Sequence, residues 1–301
     1  RGVFIFSPYV RHQGKAGDAA DSLVDRLTNL LPGSPQIRIA VTGQAARSYG
    51  EKRGYYYINE MRACAAGVGE MTEDVRTVFE LGGEKSKYIR IEQNGDSLAR
   101  IVDYEMNGDC AAGTGSFFDQ QAGRLKYKIE EVSDVVLTAE RAATIAGRCS
   151  VFAKSDMIHA QQRGYTPSEV LKGLCNAVVR NFKGSITKGK KIVPRVAFVG
   201  GVATNRGVAE SMRAMFELNR DEFTVPPYAA WAAALGAALL HCESNVTSPV
   251  SGPSGEFVNS AYPTVAPLSL DKVILLRNKT SRYQLKRGQP VKAYLGIDVG
   301  S

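Results

Sequence analysis

The stretch from Val75 to Leu218 constrains the fold most. VRTVFELGG (75–83), SKYIRIEQNG (86–95) and SLARIVDYEMNG (97–108) read as three strands, joined at Gly82-Gly83 and Asn94-Gly95, pairs favoured at tight hairpin turns. A helical region follows from about 113 to 185. RVAFVGG (195–201) then reads as a strand that runs into a helix at about 204–218. FTVP is a short further strand, and YAAWAAALGAALLHC (228–242) is an Ala-rich helix suited to close packing. The order is βββαβα with a helical insertion, so a sheet must be covered by helices on its faces.

The preceding residues repeat part of this pattern. GVFIFSPYV (2–10) reads as a strand, and DAADSLVDRLTNLL (18–31) as an amphipathic helix ended by Pro32-Gly33. IRIAVTG (37–43) and GYYYIN (54–59) are strands, and EMRACAAGVGEM (60–71) is a helix. This is the same unit without its first two strands. Two such units across a cleft describe an α/β fold of the actin/Hsp70/sugar-kinase type, two-lobed and ribonuclease H-like, with the first lobe truncated. The expected divisions are an incomplete first lobe (1–74), a second lobe with the helical region (75–227), a closing helix (228–242), a linker (243–292) and the first strand of a following unit (293–301). The linker reading rests on the Ser-, Pro- and Gly-rich run SNVTSPVSGPSGEFVNSAYPTVAPL (244–268).

Composition narrows the function classes. Hydrophobic residues are 44% and charged residues 23% of the 301, which excludes disordered and collagen-like chains. The net charge of +8 could suggest nucleic acid, but seven basic residues against two acidic ones fall within 271–301, and about +3 is left for the rest. No aromatic-interleaved basic platform is present, so a nucleic-acid partner is not expected. No run of 18 uncharged apolar residues occurs, and no membrane span is expected. RGVFIFSPYVRH has neither an initiator Met nor a signal-peptide layout, and reads as an internal piece of a longer chain. Five scattered cysteines without a CxxC suit a reducing, cytoplasmic compartment.

Three glycine turns could carry chemistry. At Gly82-Gly83, backbone N–H groups could approach phosphate oxygens, while the acidic Glu80 on the strand could hold Mg²⁺ through water. At Gly200-Gly201, followed by Asn205, a flat ligand such as adenosine could lie on backbone at a helix start. Asp298-Val299-Gly300-Ser301 ends a strand with an acid, a Gly and a hydroxyl, which suits a Mg²⁺ and phosphate hairpin. Taken singly, each is more often an ordinary turn. Cys110, in NGDCAAGTG, and Cys149, in GRCSVF, each precede a helical stretch. There a thiolate is stabilised and an anionic ligand is favoured. An iron–sulfur cluster held by four thiolates is such an anion, and with two cysteines per chain it would need two chains. An isolated cysteine is more often a small buried residue. Cys64, Cys175 and Cys242 lie within helical patterns, and His12, His159 and His241 show no metal-ligand spacing.

ELGGEKSK, NGDCAAGTG, RCSVFAKSD and FVGGVATNRGV resemble, in this order over about residues 1–242, the ATP-dependent activators of 2-hydroxyacyl-CoA dehydratases. They are equally similar to the ATP-binding subunits of benzoyl-CoA reductases. The resemblance implies the acetate and sugar kinase/Hsp70/actin fold. It also implies a homodimer with one 4Fe-4S cluster between subunits, ligated by Cys110 and Cys149 of each chain. ATP or ADP would bind in the cleft with Mg²⁺. Gly82 and Gly83 would cradle phosphates, and Gly200, Gly201 and Asn205 would border the adenosine. Hydrolysis would rotate the subunits and drive a low-potential electron into an acyl-CoA dehydratase or reductase component. The sequence departs from the family pattern in having Glu80 where Asp is usual. The family's N-terminal phosphate loop is missing before Arg1, and the matching LGIDVGS stands instead at 295–301. This resembles the large subclass with two ATPase units in tandem.

Two rival readings remain. A sugar or N-acetylhexosamine kinase of the same fold predicts a sugar-binding Asp and gives no reason for cysteines at two helix starts. A non-hydrolysing regulatory unit would keep the fold without turnover. A final expectation is that strand 294–299 adds to the sheet of the first lobe, in its own chain or a neighbour's, and brings Asp298 to face Gly82 and Gly83.

Overall fold

The computed structural model describes residues 8–12, 14–31, 37–92, 99–108, 113–147 and 149–244. Cys110, the Asn94-Gly95 turn, most of the 2–10 strand, the 245–292 part of the linker, and the 293–301 strand with Asp298 all lie outside them.

The first residues form α1 (Ala16–Leu30), β1 (Ala40–Thr42), α2 (Ala46–Arg53), β2 (Tyr56–Ile58) and α3 (Glu60–Met71). β1 and β2 pair in parallel, Val41 opposite Tyr57. The crossover between them is α2, for which the sequence pattern predicts no element. Its sequence, ARSYGEKR, is polar and buries only Tyr49 and Gly50. It ends at Gly54, whose φ of 70° suits a residue without a Cβ. Asp21 ties α1 down, accepting from the Tyr49 hydroxyl at 2.7 Å and pairing with Arg53. α3 starts where the sequence predicts, with the Asn59 side chain accepting from the N–H groups of Met61 and Arg62.

The main sheet has five strands in the order β5–β4–β3–β6–β7. β3 (Thr77–Leu81), β4 (Ser86–Glu92) and β5 (Arg100–Met106) form the expected antiparallel meander. β6 (Val196–Val199) lies parallel to β3, and β7 (Phe223–Thr224) lies parallel to β6. TVFEL and VAFV, at the sheet centre, are buried along their whole length, which is why they read as near-continuous apolar runs. The helical region is α4 (Gly115–Arg124), α5 (Ile129–Leu137), α6 (Ser150–Gln162) and α7 (Pro167–Ser185). α8 (Arg206–Met215) and α9 (Ala232–Glu243) follow β6 and β7.

Side chains alternate across β3. Phe79 packs edge-on against Phe182 of α7, with ring centroids 5.2 Å apart, and against Phe216 at 4.7 Å. Glu80 points to the other face, where α3 lies. α3 and α9 touch backbone to backbone. A Cβ on Gly67 would stand 1.8 Å from the Ala232 carbonyl oxygen, and one on Gly236 would stand 1.8 Å from that of Ala63. α9 also packs on the first sheet through a small cluster of Ile58, Ala63 and Ala237. No helix among the described residues is long and apolar enough to cross a membrane.

Candidate functional site

The β3–β4 hairpin is docked on the start of α4. Gly82 N–H closes the turn onto the Lys85 carbonyl at 2.8 Å. The Gly82 and Gly83 carbonyls accept from Gly115 N–H at 2.9 Å and Ser116 N–H at 2.7 Å, and so satisfy two donors of the first helical turn. Gly115 is pinned by this approach, because a Cβ there would stand 3.1 Å from the Gly82 oxygen. Gly83 faces open space, with only the Ser116 hydroxyl within 4.0 Å of an added Cβ.

The second glycine turn divides its two residues between tasks. Gly200 has φ 91°, and a Cβ on it would stand 2.4 Å from the Leu81 carbonyl oxygen. It lets β6 leave the sheet against β3. Gly201 begins a single 3₁₀ turn to Thr204, and Asn205 caps α8 by accepting from Val208 N–H at 3.1 Å. Asn205 is buried, and its Nδ2 has no hydrogen-bond partner among the described residues. A buried donor left without a partner costs free energy, so it marks a place for an acceptor.

These turns bound a cleft of about 430 Å³ lined by Gly83, Ser116, Gly201, Thr204 and Asn205, together with Tyr9, Arg11 and His12. Of these, Tyr9 lies at the end of the expected 2–10 strand, and Arg11 and His12 follow it; residues 8–12 are irregular. Pro8 accepts from Trp231 Nε1 at 3.1 Å, and Tyr9 packs edge-on against the Trp231 ring. The Tyr9 hydroxyl lies over Gly201, 2.2 Å from where a Cβ would stand. Arg11 pairs with Asp119 of α4 and, at 3.6 Å, with Glu130 of α5. The polar Arg11-His12 pair after an apolar run was the available sequence signal.

Glu80 is not among the residues that line this cleft. It is buried, and the Lys87 ammonium donates to it at 2.8 Å and lies 3.3 Å from Glu60. Burial pulls the Lys87 pKa down, but the charge and hydrogen bond of Glu80 outweigh it, and the net shift is upward. Beside them Cys64 is fully buried. Burial first, then the Glu80 charge, holds its thiol well above the usual range. Cys175 is buried in α7, and burial raises it too. Neither is an available thiolate.

Cys149 differs. It stands at the N-cap of α6, half-buried, with Val151 and Phe152 of the next turn 67% and 66% exposed. The loop before it is fixed: Asp156 accepts from Ala146 N–H at 2.7 Å, and Asn181 Nδ2 donates to the Gly147 carbonyl at 2.9 Å. A thiol at a helix start beside an exposed apolar turn has surroundings that suit a metal or cluster ligand. Among the described residues, no three His, Cys, Asp or Glu side chains converge as a metal site. Gly83, Gly201 and Asn205 thus share one cleft. Gly82 and Gly200 shape its walls, Glu80 lies apart with Lys87, and Cys110 and Asp298 fall outside the described residues.

A mixed sheet flanked by helices, with a cleft between glycine turns, defines an α/β protein of the actin-like ATPase class. The chain belongs to the BadF/BadG/BcrA/BcrD ATPase family, whose model matches residues 10–241. It is 30% identical over 202 residues to the 2-hydroxyisocaproyl-CoA dehydratase activator of Clostridioides difficile, covering 67% of this chain and 72% of that one. It is 32% identical over 187 residues to the activator of lactoyl-CoA dehydratase of Anaerotignum propionicum, covering 62% and 69%. Among solved structures, the Clostridium difficile 2-hydroxyisocaproyl-CoA dehydratase activator with bound ADPNP superposes with a TM-score of 0.67 at 27% identity. It covers 75% of this chain and 81% of that one.

Proposed function

We propose that the chain is an ATP-dependent activase that couples ATP hydrolysis to low-potential electron transfer into a CoA-ester dehydratase or reductase. The observation that carries the electron-transfer part is Cys149 at the N-cap of α6, half-buried beside exposed Val151 and Phe152. With Cys110 it would supply two thiolates, and a second copy of the chain would supply the other two. The 4Fe-4S cluster, when bound, supplies one-electron chemistry at low potential. The exposed apolar turn of α6 would be covered in the homodimer and would keep water from the thiolates.

The nucleotide part rests on the cleft. ATP or ADP there would give the unpartnered Asn205 Nδ2 an acceptor. Gly201, beneath the Tyr9 hydroxyl, would border the adenosine, Gly83 would leave room for the phosphates, and Ser116 would bring a hydroxyl beside them. Gly82 and Gly200 would act by shaping the two turns. Glu80, held by Lys87 at 2.8 Å behind the hairpin, would act on the site only through the strand that carries Gly82 and Gly83. Reading the chain as a sugar kinase leaves Cys149 without a role.

The test separates the two parts in the full-length protein, prepared anaerobically. Cys149→Ser is expected to lose iron and sulfide while still releasing phosphate from ATP. Loss of phosphate release with iron retained would contradict the assignment.

A further inference from the structure

Two segments that the proposed function treats separately are joined through one side chain. Ser86, at the foot of the Gly82-Gly83 hairpin, donates its buried hydroxyl to the Gly113 carbonyl at 2.7 Å. Gly113 has φ 80°, and a Cβ on it would stand 2.6 Å from Asn181 Oδ1, so its backbone lies directly against that amide. The other end of the same amide, Nδ2, donates to the Gly147 carbonyl at 2.9 Å, two residues before Cys149. The Gly147 carbonyl can only accept, which sets the Nδ2 end of the amide toward that loop; the Ser185 hydroxyl, which donates to the Asn181 backbone carbonyl at 2.6 Å, lies 3.0 Å from Oδ1. Gly147 cannot drift from this contact freely, because its Cα is pressed on α7, where an added Cβ would stand 2.3 Å from the Ala177 oxygen.

On the hairpin side the link is equally short. The carbonyls of Gly82 and Gly83 hold the N–H groups of Gly115 and Ser116, and Ser86 N–H donates to Asn107 Oδ1 at 2.7 Å. A displacement of the hairpin would therefore carry Gly113 and α4 with it. The moved Gly113 meets Asn181, and Asn181 meets the loop that ends at Cys149.

We infer that Asn181 is a positioning residue that transmits the state of the nucleotide hairpin to Cys149, through Gly113 on one side and Gly147 on the other. The inference rests on the reading of the cleft as a nucleotide site.

The experiment uses the full-length protein freed of iron, with ADP and ADPNP as probes. Nucleotide affinity is measured by calorimetry. The rate of Cys149 alkylation by iodoacetamide is read by peptide mass spectrometry with and without nucleotide. In the unchanged protein the nucleotide is expected to alter the Cys149 rate at least about fivefold, the low end of typical coupling. In Asn181→Asp, which keeps the shape but loses the donor to Gly147, that ratio is expected to fall to unity while affinity is retained. Ser86→Ala is expected to do the same from the hairpin side, and the double variant is expected to add nothing further. A merely structural role for Asn181 would change the Cys149 rate equally with and without nucleotide. That outcome, or a full response in Asn181→Asp, overturns the inference. An unchanged protein that binds nucleotide without any Cys149 response also overturns it and leaves the cleft reading intact. Failure of the unchanged protein to bind either nucleotide overturns the cleft reading itself and the inference with it.

Discussion

Lys87 donates to Glu80 at 2.8 Å inside the protein, and the same ammonium lies 3.3 Å from Glu60 on the facing helix. One buried cation thus holds two carboxylates, one on the strand that leads into the Gly82-Gly83 hairpin and one on α3. Lys87→Met would leave the buried Glu80 and the half-buried Glu60 without their cation, at a cost of about 3–5 kcal/mol. Urea unfolding at neutral pH measures it. The Lys87 pKa is raised in the fold, so its contribution is present in full below the ordinary lysine value. It is lost as pH climbs through the raised value. The gap between wild type and Lys87→Met should therefore close in alkali.

The two glycines of the second turn should behave differently. Gly200→Ala puts a Cβ against the Leu81 backbone at a positive φ, which costs about 2 kcal/mol or more. Gly201→Val meets only the end of the Tyr9 side chain, which can move. Thermal melting should fall clearly for Gly200→Ala and little for Gly201→Val. ATP affinity in the full-length protein should fall at least about tenfold for Gly201→Val, a loss of roughly 1.4 kcal/mol. Loss of stability with unchanged affinity per folded Gly201→Val molecule would make that turn purely structural.

Arg11 bridges from the irregular 8–12 segment to Asp119 and Glu130 across the cleft, and all three side chains are well exposed. Exposed pairs contribute at most about 1 kcal/mol each. Arg11→Ala should leave stability nearly unchanged and raise the rate of nucleotide entry in stopped-flow binding. An unchanged entry rate would mean that the segment does not limit access.

Close helix contact predicts one more outcome. Gly236→Ala sets a methyl 1.8 Å from the Ala63 carbonyl oxygen, which is backbone on both sides and cannot yield locally. A loss of about 3 kcal/mol is expected in urea unfolding, at the upper end of overpacking costs. The same change at Gly123, where an added Cβ meets nothing within 4 Å, should have little effect.

Periodicity and turn chemistry made much of this fold legible. α3 runs from Glu60 to Met71 as its apolar spacing predicts, because Asn59 caps it in the sequence itself. β3 was readable because it is buried on both faces and its apolar run ends at Gly82-Gly83. α2 was not, since ARSYGEKR has no apolar stripe and is held as a helix by its place between β1 and β2. The site was legible as motifs but not as roles. Gly200 and Gly201 look equivalent in sequence, yet one meets a strand carbonyl and the other faces the cleft. The placement of the Pro8–Arg11 segment arises from contacts across more than a hundred residues, which no local pattern records.

The central claim is that two chains together hold one cluster through Cys110 and Cys149. Its most direct test is an anaerobic count of iron and sulfide against protein, with the mass of the assembly and the EPR spectrum of the reduced sample. About four irons and four sulfides per two chains are expected, lost in Cys110→Ser and in Cys149→Ser and kept in Cys175→Ser. Four irons on each single chain, or equal loss of iron from Cys175→Ser and Cys149→Ser, would contradict it.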